Sequence, residues 1–194
     1  KYDAEISETL TLDISEIDLG TAKEIFYWSK DFQNPKNNIG HVNTNVSFTK
    51  KQKVISGKSK TLNLIQPVFF ENNLCYLIND GFIECLNTES GKSSFKTNIK
   101  EEGTSKYEFI RGGISYFDKK LIFVDGYGQV MAINTDSGEI IWQKSLPFPI
   151  LSAPLIYRGL VYFISADNRL FAIDFETGES LWSFQTTVEA KKSI

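Results

Sequence analysis

The sequence predicts an all-β protein of stacked four-stranded units, on three observations. Short apolar and β-branched runs recur between turn-forming residues, an eleven-residue pattern repeats three times, and the repeats lie about 40 residues apart. Leu74–Ile78, Leu121–Val124 and Leu160–Ile164 are bounded by Asn72-Asn73 and Asp80-Gly81, Asp125-Gly126, and Asp167-Asn168, which reads as hairpins. Gly81–Gly91 (GFIECLNTESG), Gly128–Gly138 (GQVMAINTDSG) and Asn168–Gly178 (NRLFAIDFETG) align without gaps. Each carries a small residue (Cys85, Ala132, Ala172), an aliphatic one, then Asn87, Asn134 or Asp174. Ser or Thr precedes the closing glycine in the pattern, and four residues later stands Phe95, Trp142 or Trp182. The closing glycines are 47 and then 40 residues apart, and the aromatics keep the same intervals. A further strand precedes each unit at Gln66–Phe69, Gly113–Tyr116 and Ala153–Ile156. Four strands in about 40 residues make one propeller blade.

Physical chemistry explains the residue types. The turn after Asx needs φ > 0, which glycine adopts without a Cβ clash, and the Asx and Ser/Thr side chains bond the turn's free backbone groups. The aromatic lies on the outermost strand, where a large flat ring covers the junction with the next blade; the small Cys or Ala leaves room for close approach. Cys75 and Cys85 lie on neighbouring strands of one hairpin. They face each other if the loop is Asn79-Asp80-Gly81 and point apart if it is Asp80-Gly81 alone. Because Cys85 occupies the repeat's alanine position, buried free thiols are the expected state.

Composition excludes several classes. The 194 residues carry a net charge of −3 from 21 basic and 24 acidic side chains, and 41% are hydrophobic and 13% aromatic, enough for a core. No apolar run approaches the ~20 residues of a membrane helix, and no Lys/Arg block offers a nucleic-acid surface. With only His41, Cys75 and Cys85, neither a His/Cys zinc set nor a Ser-His-acid trio can be written. His41 lies in a polar Asn/Pro/Gly run and reads as a loop histidine, so no catalytic, metal or cofactor residue is expected.

Ala172 to Trp182 resembles the tryptophan docking motif of pyrroloquinoline-quinone-type propeller repeats, A-x-D-x-x-T-G-x-x-x-W; Ala132 to Trp142 is a near match and Cys85 to Phe95 a degenerate one. Two groups use that repeat: quinoprotein dehydrogenases, and BamB, the lipoprotein propeller of the outer-membrane barrel assembly machine. Gly112-Gly113, Gly126-Tyr127-Gly128, Ser152-Ala153-Pro154 and the run Asp167 to Ala172 are most similar to BamB of α-proteobacterial type. Trp28 with Gln33-Asn34-Pro35 and Gly40-His41 is similar to the start of those proteins. The dehydrogenase resemblance implies an adjacent-cysteine disulfide over the cofactor and acidic and amide ligands for Ca²⁺. Here the cysteines are ten apart. The BamB resemblance implies a non-catalytic scaffold, lipid-anchored to the outer membrane on its periplasmic side. Its partners would be the central barrel assembly protein, or that protein's periplasmic domains, and unfolded outer-membrane proteins. It also implies a ring of about eight blades, of which this length holds about half, so that open blade edges would self-associate or belong to a longer chain.

The organisation read from these patterns is an extended arm over 1–27, a polar loop and partial blade over 28–63, blades over 64–98, 99–145 and 146–186, and the start of another over 187–194. The arm alternates from Ile6 to Leu19 as an edge strand would, and Val46–Ile55 reads as an outer strand. Strand order puts the hairpins at Asn79–Gly81, Asp125–Gly128 and Asp167–Arg169 on one face with the connection Pro147–Leu151. Phe148 and Ile150 there either tuck under the blade edge or form a partner-binding patch with Tyr127 and Arg169 at its rim. Asn98–Lys106 reads as a solvated excursion.

Overall fold

The structure, a computed structural model, describes residues 20–25, 28–30, 41–43, 65–78, 81–100 and 111–186. The alternating stretch of the arm from Ile6 to Leu19, the strand expected over Val46–Ile55, residues 187–194 and most of the Asn98–Lys106 excursion lie outside the described residues.

Among the described residues, twelve antiparallel strands form three four-stranded sheets. The first contains β1 (Val68–Phe70), β2 (Asn73–Ile78), β3 (Phe82–Asn87) and β4 (Ser93–Asn98). The second contains β5 (Gly112–Phe117), β6 (Lys120–Asp125), β7 (Gln129–Asn134) and β8 (Ile140–Ser145). The third contains β9 (Leu155–Tyr157), β10 (Leu160–Ile164), β11 (Arg169–Asp174) and β12 (Ser180–Gln185). Strand order equals chain order in every sheet, and β5 lies against both β1 and β9, so the first strands are innermost. The sheets are the blades of a partial β-propeller. Residues 28–30 run along the inner strands, where Trp28 bridges Phe69.

The middle blade is buried on both faces, which explains why β6 and β7 read as nearly continuous apolar runs. Leu121 and Phe123 turn toward the first blade and pack with Val68, Phe70 and Ile83, while Ile122 and Val124 turn toward the third and pack with Val161, Phe163 and Phe171. One strand therefore supplies both inter-blade cores by the two-residue side-chain period.

The repeated motif forms the same structure three times. The Asx carbonyl accepts the glycine N–H at 2.8, 2.8 and 3.0 Å (Asn87 to Gly91, Asn134 to Gly138, Asp174 to Gly178), and the glycines have φ of 69°, 76° and 73°. Asp174 Oδ1 also accepts the amides of Glu176 and Thr177 at 2.9 and 2.8 Å. These bonds, Thr177's amide first, hold the Asp174 carboxyl below its ordinary value of 3.8. A lowered folded-state pKa supplies stability above the ordinary value and loses it as pH falls through the folded one. Asp174→Asn, which copies Asn134, is therefore expected to remove that dependence. The gap in melting temperature between the two proteins should narrow as pH falls from above the ordinary value of 3.8 to below it; a constant gap would refute the assignment.

The free thiols expected at Cys75 and Cys85 are not found. Ile78 pairs with Phe82, so the loop between β2 and β3 has three residues, Cys75 and Cys85 stand directly opposite, and they form a disulfide with Cα atoms 4.0 Å apart. The alanine-like position of Cys85 correctly implies burial, and both residues are fully buried, but it says nothing of the cross-strand neighbour that register supplies.

Candidate functional site

Two of the three outer-strand aromatics, Phe95 and Trp142, seat on the glycine of the following blade. A Cβ at Gly138 would come within 2.7 Å of Phe95, and one at Gly178 within 2.7 Å of the Trp142 ring. Trp142 Nε1 donates to the Phe175 carbonyl at 3.1 Å, while Thr97 Oγ1 and Lys144 Nζ donate to the carbonyls of Gly138 and Gly178 at 2.6 and 3.4 Å. The glycines thus serve twice, for positive φ and for the absence of Cβ under a ring. Ala132 and Ala172 are fully buried opposite Trp142 and Trp182, and Cys85 opposite Phe95. A register shift follows each of those pairs, a bulge that the sequence reading did not foresee. In the third blade Trp182 is 44% exposed and Phe184, at the place of Lys144, 63% exposed.

The face carrying the hairpins after β2, β6 and β10 is organised by a residue not singled out from sequence, Asp125. It is fully buried, and its Oδ1 accepts the amides of Tyr127 and Gln129, both at 3.0 Å. Its carbonyl accepts Gly128 N–H at 3.2 Å and Ile150 N–H at 3.3 Å. Gly128 lies so close to the connection that a Cβ there would meet Leu146 O at 2.2 Å. On the other side the Pro149 carbonyl accepts the Ala166 amide at 2.8 Å and the Ile164 carbonyl the Leu151 amide at 3.0 Å. The connection is therefore laced between the two hairpins. An aspartate ahead of Gly-Tyr-Gly is the signal that could have found it, since Asx side chains bond backbone two residues on.

Of the four residues proposed from sequence to meet a partner, the structure keeps two at the surface. Tyr127 is half exposed, and Arg169 stands at the rim with Nε 3.5 Å from Asp167 and one terminal nitrogen 3.4 Å from Ser183. The hydroxyl of Ser165, Asp167's own amide and Arg169 hold the Asp167 carboxyl below its ordinary value, so this carboxylate stays charged at neutral pH. Ile150 must be withdrawn: it is fully buried in the core between the second and third blades. Phe148 tucks beneath the edge, packed on that core with its ring 6.3 Å from Phe171. The apolar residues exposed instead are Leu151 and Ile164, joined by their backbone bond. His41 is exposed, with Nδ1 3.1 Å from the Gly20 carbonyl.

The described residues do not fit a bound quinone. The disulfide joins β2 and β3 within one sheet and is fully buried, so it cannot lie over a cofactor, and among the described residues no three His, Cys, Asp or Glu side chains gather around a metal position.

Sheets locked edge to edge by an aromatic over a glycine define a propeller of the quinone-repeat class. Within that class the chain belongs to the family described as outer membrane protein assembly factor BamB, whose model matches residues 79–193. It is 25% identical over 129 residues to the outer membrane protein assembly factor BamB of Nitrosomonas eutropha, covering 66% of this chain and 29% of that protein. It is also 29% identical over 92 residues to a quinoprotein ethanol dehydrogenase of Pseudomonas putida, covering 45% and 15%. The crystal structure of BamB from Moraxella catarrhalis superposes with a TM-score of 0.54 at 18% identity, over 63% of this chain and 35% of that one. The chain thus spans about a third or less of these proteins' length.

Proposed function

We propose that the chain is part of a non-catalytic protein-docking scaffold in the assembly of outer-membrane β-barrel proteins, acting at the periplasmic face of the outer membrane. The family match over residues 79–193 carries the reading. The laced hairpin face suits docking, because loops pinned by Asp125 and Gly128 hold Tyr127, Leu151 and Ile164 with little entropy left to lose on binding. Partners of fitting chemistry are the central barrel assembly protein, its periplasmic domains, and unfolded outer-membrane chains. The disulfide supports an oxidising compartment, where such bonds form and persist. The rival reading, a portion of a quinone-dependent dehydrogenase, rests on the Pseudomonas relative. It lacks a fitting cysteine pair.

Co-purification from outer membranes tests the reading. Recovery of the barrel assembly protein is expected, reduced by roughly tenfold when Tyr127 and Leu151 are both replaced by glutamate, with melting temperature unchanged because both are surface residues. Failure to recover that protein would count against the scaffold. Saturable, Ca²⁺-dependent quinone binding would favour the dehydrogenase.

A further inference from the structure

On the opposite face, every blade opens with an element the repeat reading passed over. An aromatic ends the inner strand (Phe70, Phe117, Tyr157), followed by a two-residue turn with left-handed backbone. The φ values are 44° and 62° at Glu71-Asn72, 41° and 59° at Asp118-Lys119, and 51° and 75° at Arg158-Gly159. Such turns close on a hydrogen-bonded pair. By alternation the residue before each aromatic, Phe69, Tyr116 or Ile156, points its N–H and C=O toward the inner, unpaired edge of the sheet.

The described residues of the chain itself fill two of these three positions. Trp28 N–H donates to Phe69 O at 2.7 Å and Phe69 N–H to Trp28 O at 2.8 Å, and Tyr116 N–H donates to Ser29 O at 2.7 Å. Among the described residues nothing bonds the inward groups of Ile156. Where this third position lies there is a cleft of about 470 Å³, lined by Lys30, Tyr116, Phe117, Ile156 and Tyr157 among others. The Phe117 and Tyr157 rings are each about half exposed. Acidic and basic side chains stand in its wall in equal number, Glu71 and Asp118 with Lys30 and Arg158, so it selects no strongly charged ligand.

We propose that this cleft binds an extended segment of another polypeptide. The segment adds to the edge at Ile156 as residues 28–29 add to the edges at Phe69 and Tyr116, and it lays an aromatic or large aliphatic side chain against Phe117 and Tyr157. A peptide group is the ligand that offers a donor and an acceptor at strand spacing, and the side chain removes exposed aromatic surface from water. The inference does not depend on the hairpin face or its partner.

Fluorescence anisotropy with the purified 194-residue chain and a fluorescein-labelled octapeptide of alternating Tyr and Thr tests it. Saturable binding is expected, weakened by roughly tenfold or more both by methylating every peptide amide and by Tyr157→Ala, a surface change that leaves the melting temperature in place. Absence of saturation would overturn the proposal. So would binding indifferent to methylation, or equal affinity for N-acetyltyrosinamide, which would make the cleft a small-molecule pocket. Because only purified components are used, this result is separate from membrane co-purification.

Discussion

Replacing Trp142 with alanine is expected to destabilise the chain by about 3 kcal/mol, whereas Trp182→Ala should cost well under about 1 kcal/mol. The two residues hold the same place in the motif and stand opposite equivalent alanines, Ala132 and Ala172. They differ in what lies beyond. Trp142 covers Gly178 and donates to the Phe175 carbonyl, so truncation opens a gap in the joint and leaves a carbonyl without its donor. Trp182 is 44% exposed and touches Tyr162, 6.0 Å between ring centres. Urea unfolding, read as a shift in midpoint at constant slope, measures both. Gly178→Ala supplies the cross-check. In the wild-type background its Cβ meets the Trp142 ring as well as an unfavourable φ of 73°, but with Trp142 removed the backbone cost of about 1–2 kcal/mol alone remains. Less than additive loss in the double variant is the expected result; simple additivity would show that ring and glycine do not touch in solution.

Loss of the Cys75–Cys85 disulfide is expected to cost about 2.5–3 kcal/mol from the entropy of the short loop it closes. Cys75→Ala/Cys85→Ala isolates that effect, since Ala is the residue the repeat itself places at the second site in the other two blades. Both sulfurs are buried between the first and second blades, so a reductant should reach them only as fast as the first blade opens. Thiol alkylation under native conditions, followed by mass, would track that opening. Rapid labelling without denaturant would mean the bridge is not buried in solution. A bond that closes only when β2 and β3 are in register also fixes that register against a one-residue slip.

Legibility followed the range of the interactions. The Asx-to-glycine turns were readable because their bonds close within four residues, as with Asn134 and Gly138. The strand at Leu121–Val124 was readable as a continuous apolar run because β6 presents Leu121 and Phe123 to one core and Ile122 and Val124 to the other. The candidate docking face was only half readable. Phe148 and Ile150 are as apolar as Leu151, and no local rule tells which member of such a connection turns inward. That choice was made by the Asp125 carbonyl taking Ile150 N–H and the Ile164 carbonyl taking Leu151 N–H.

By itself the sequence determined the all-β class, the repeat, its phase, and the kinship with BamB-type propellers, because these depend on residue type at fixed spacing along one chain. The tertiary structure decided the disulfide, which of the connection's apolar residues reach water, the second role of the repeat's glycines, and the inner edge at Ile156, which no other described residue bonds. Each of those depends on what a neighbouring strand or blade brings within a few ångströms, and cross-strand register and inter-blade contact leave no mark in the spacing of a single segment.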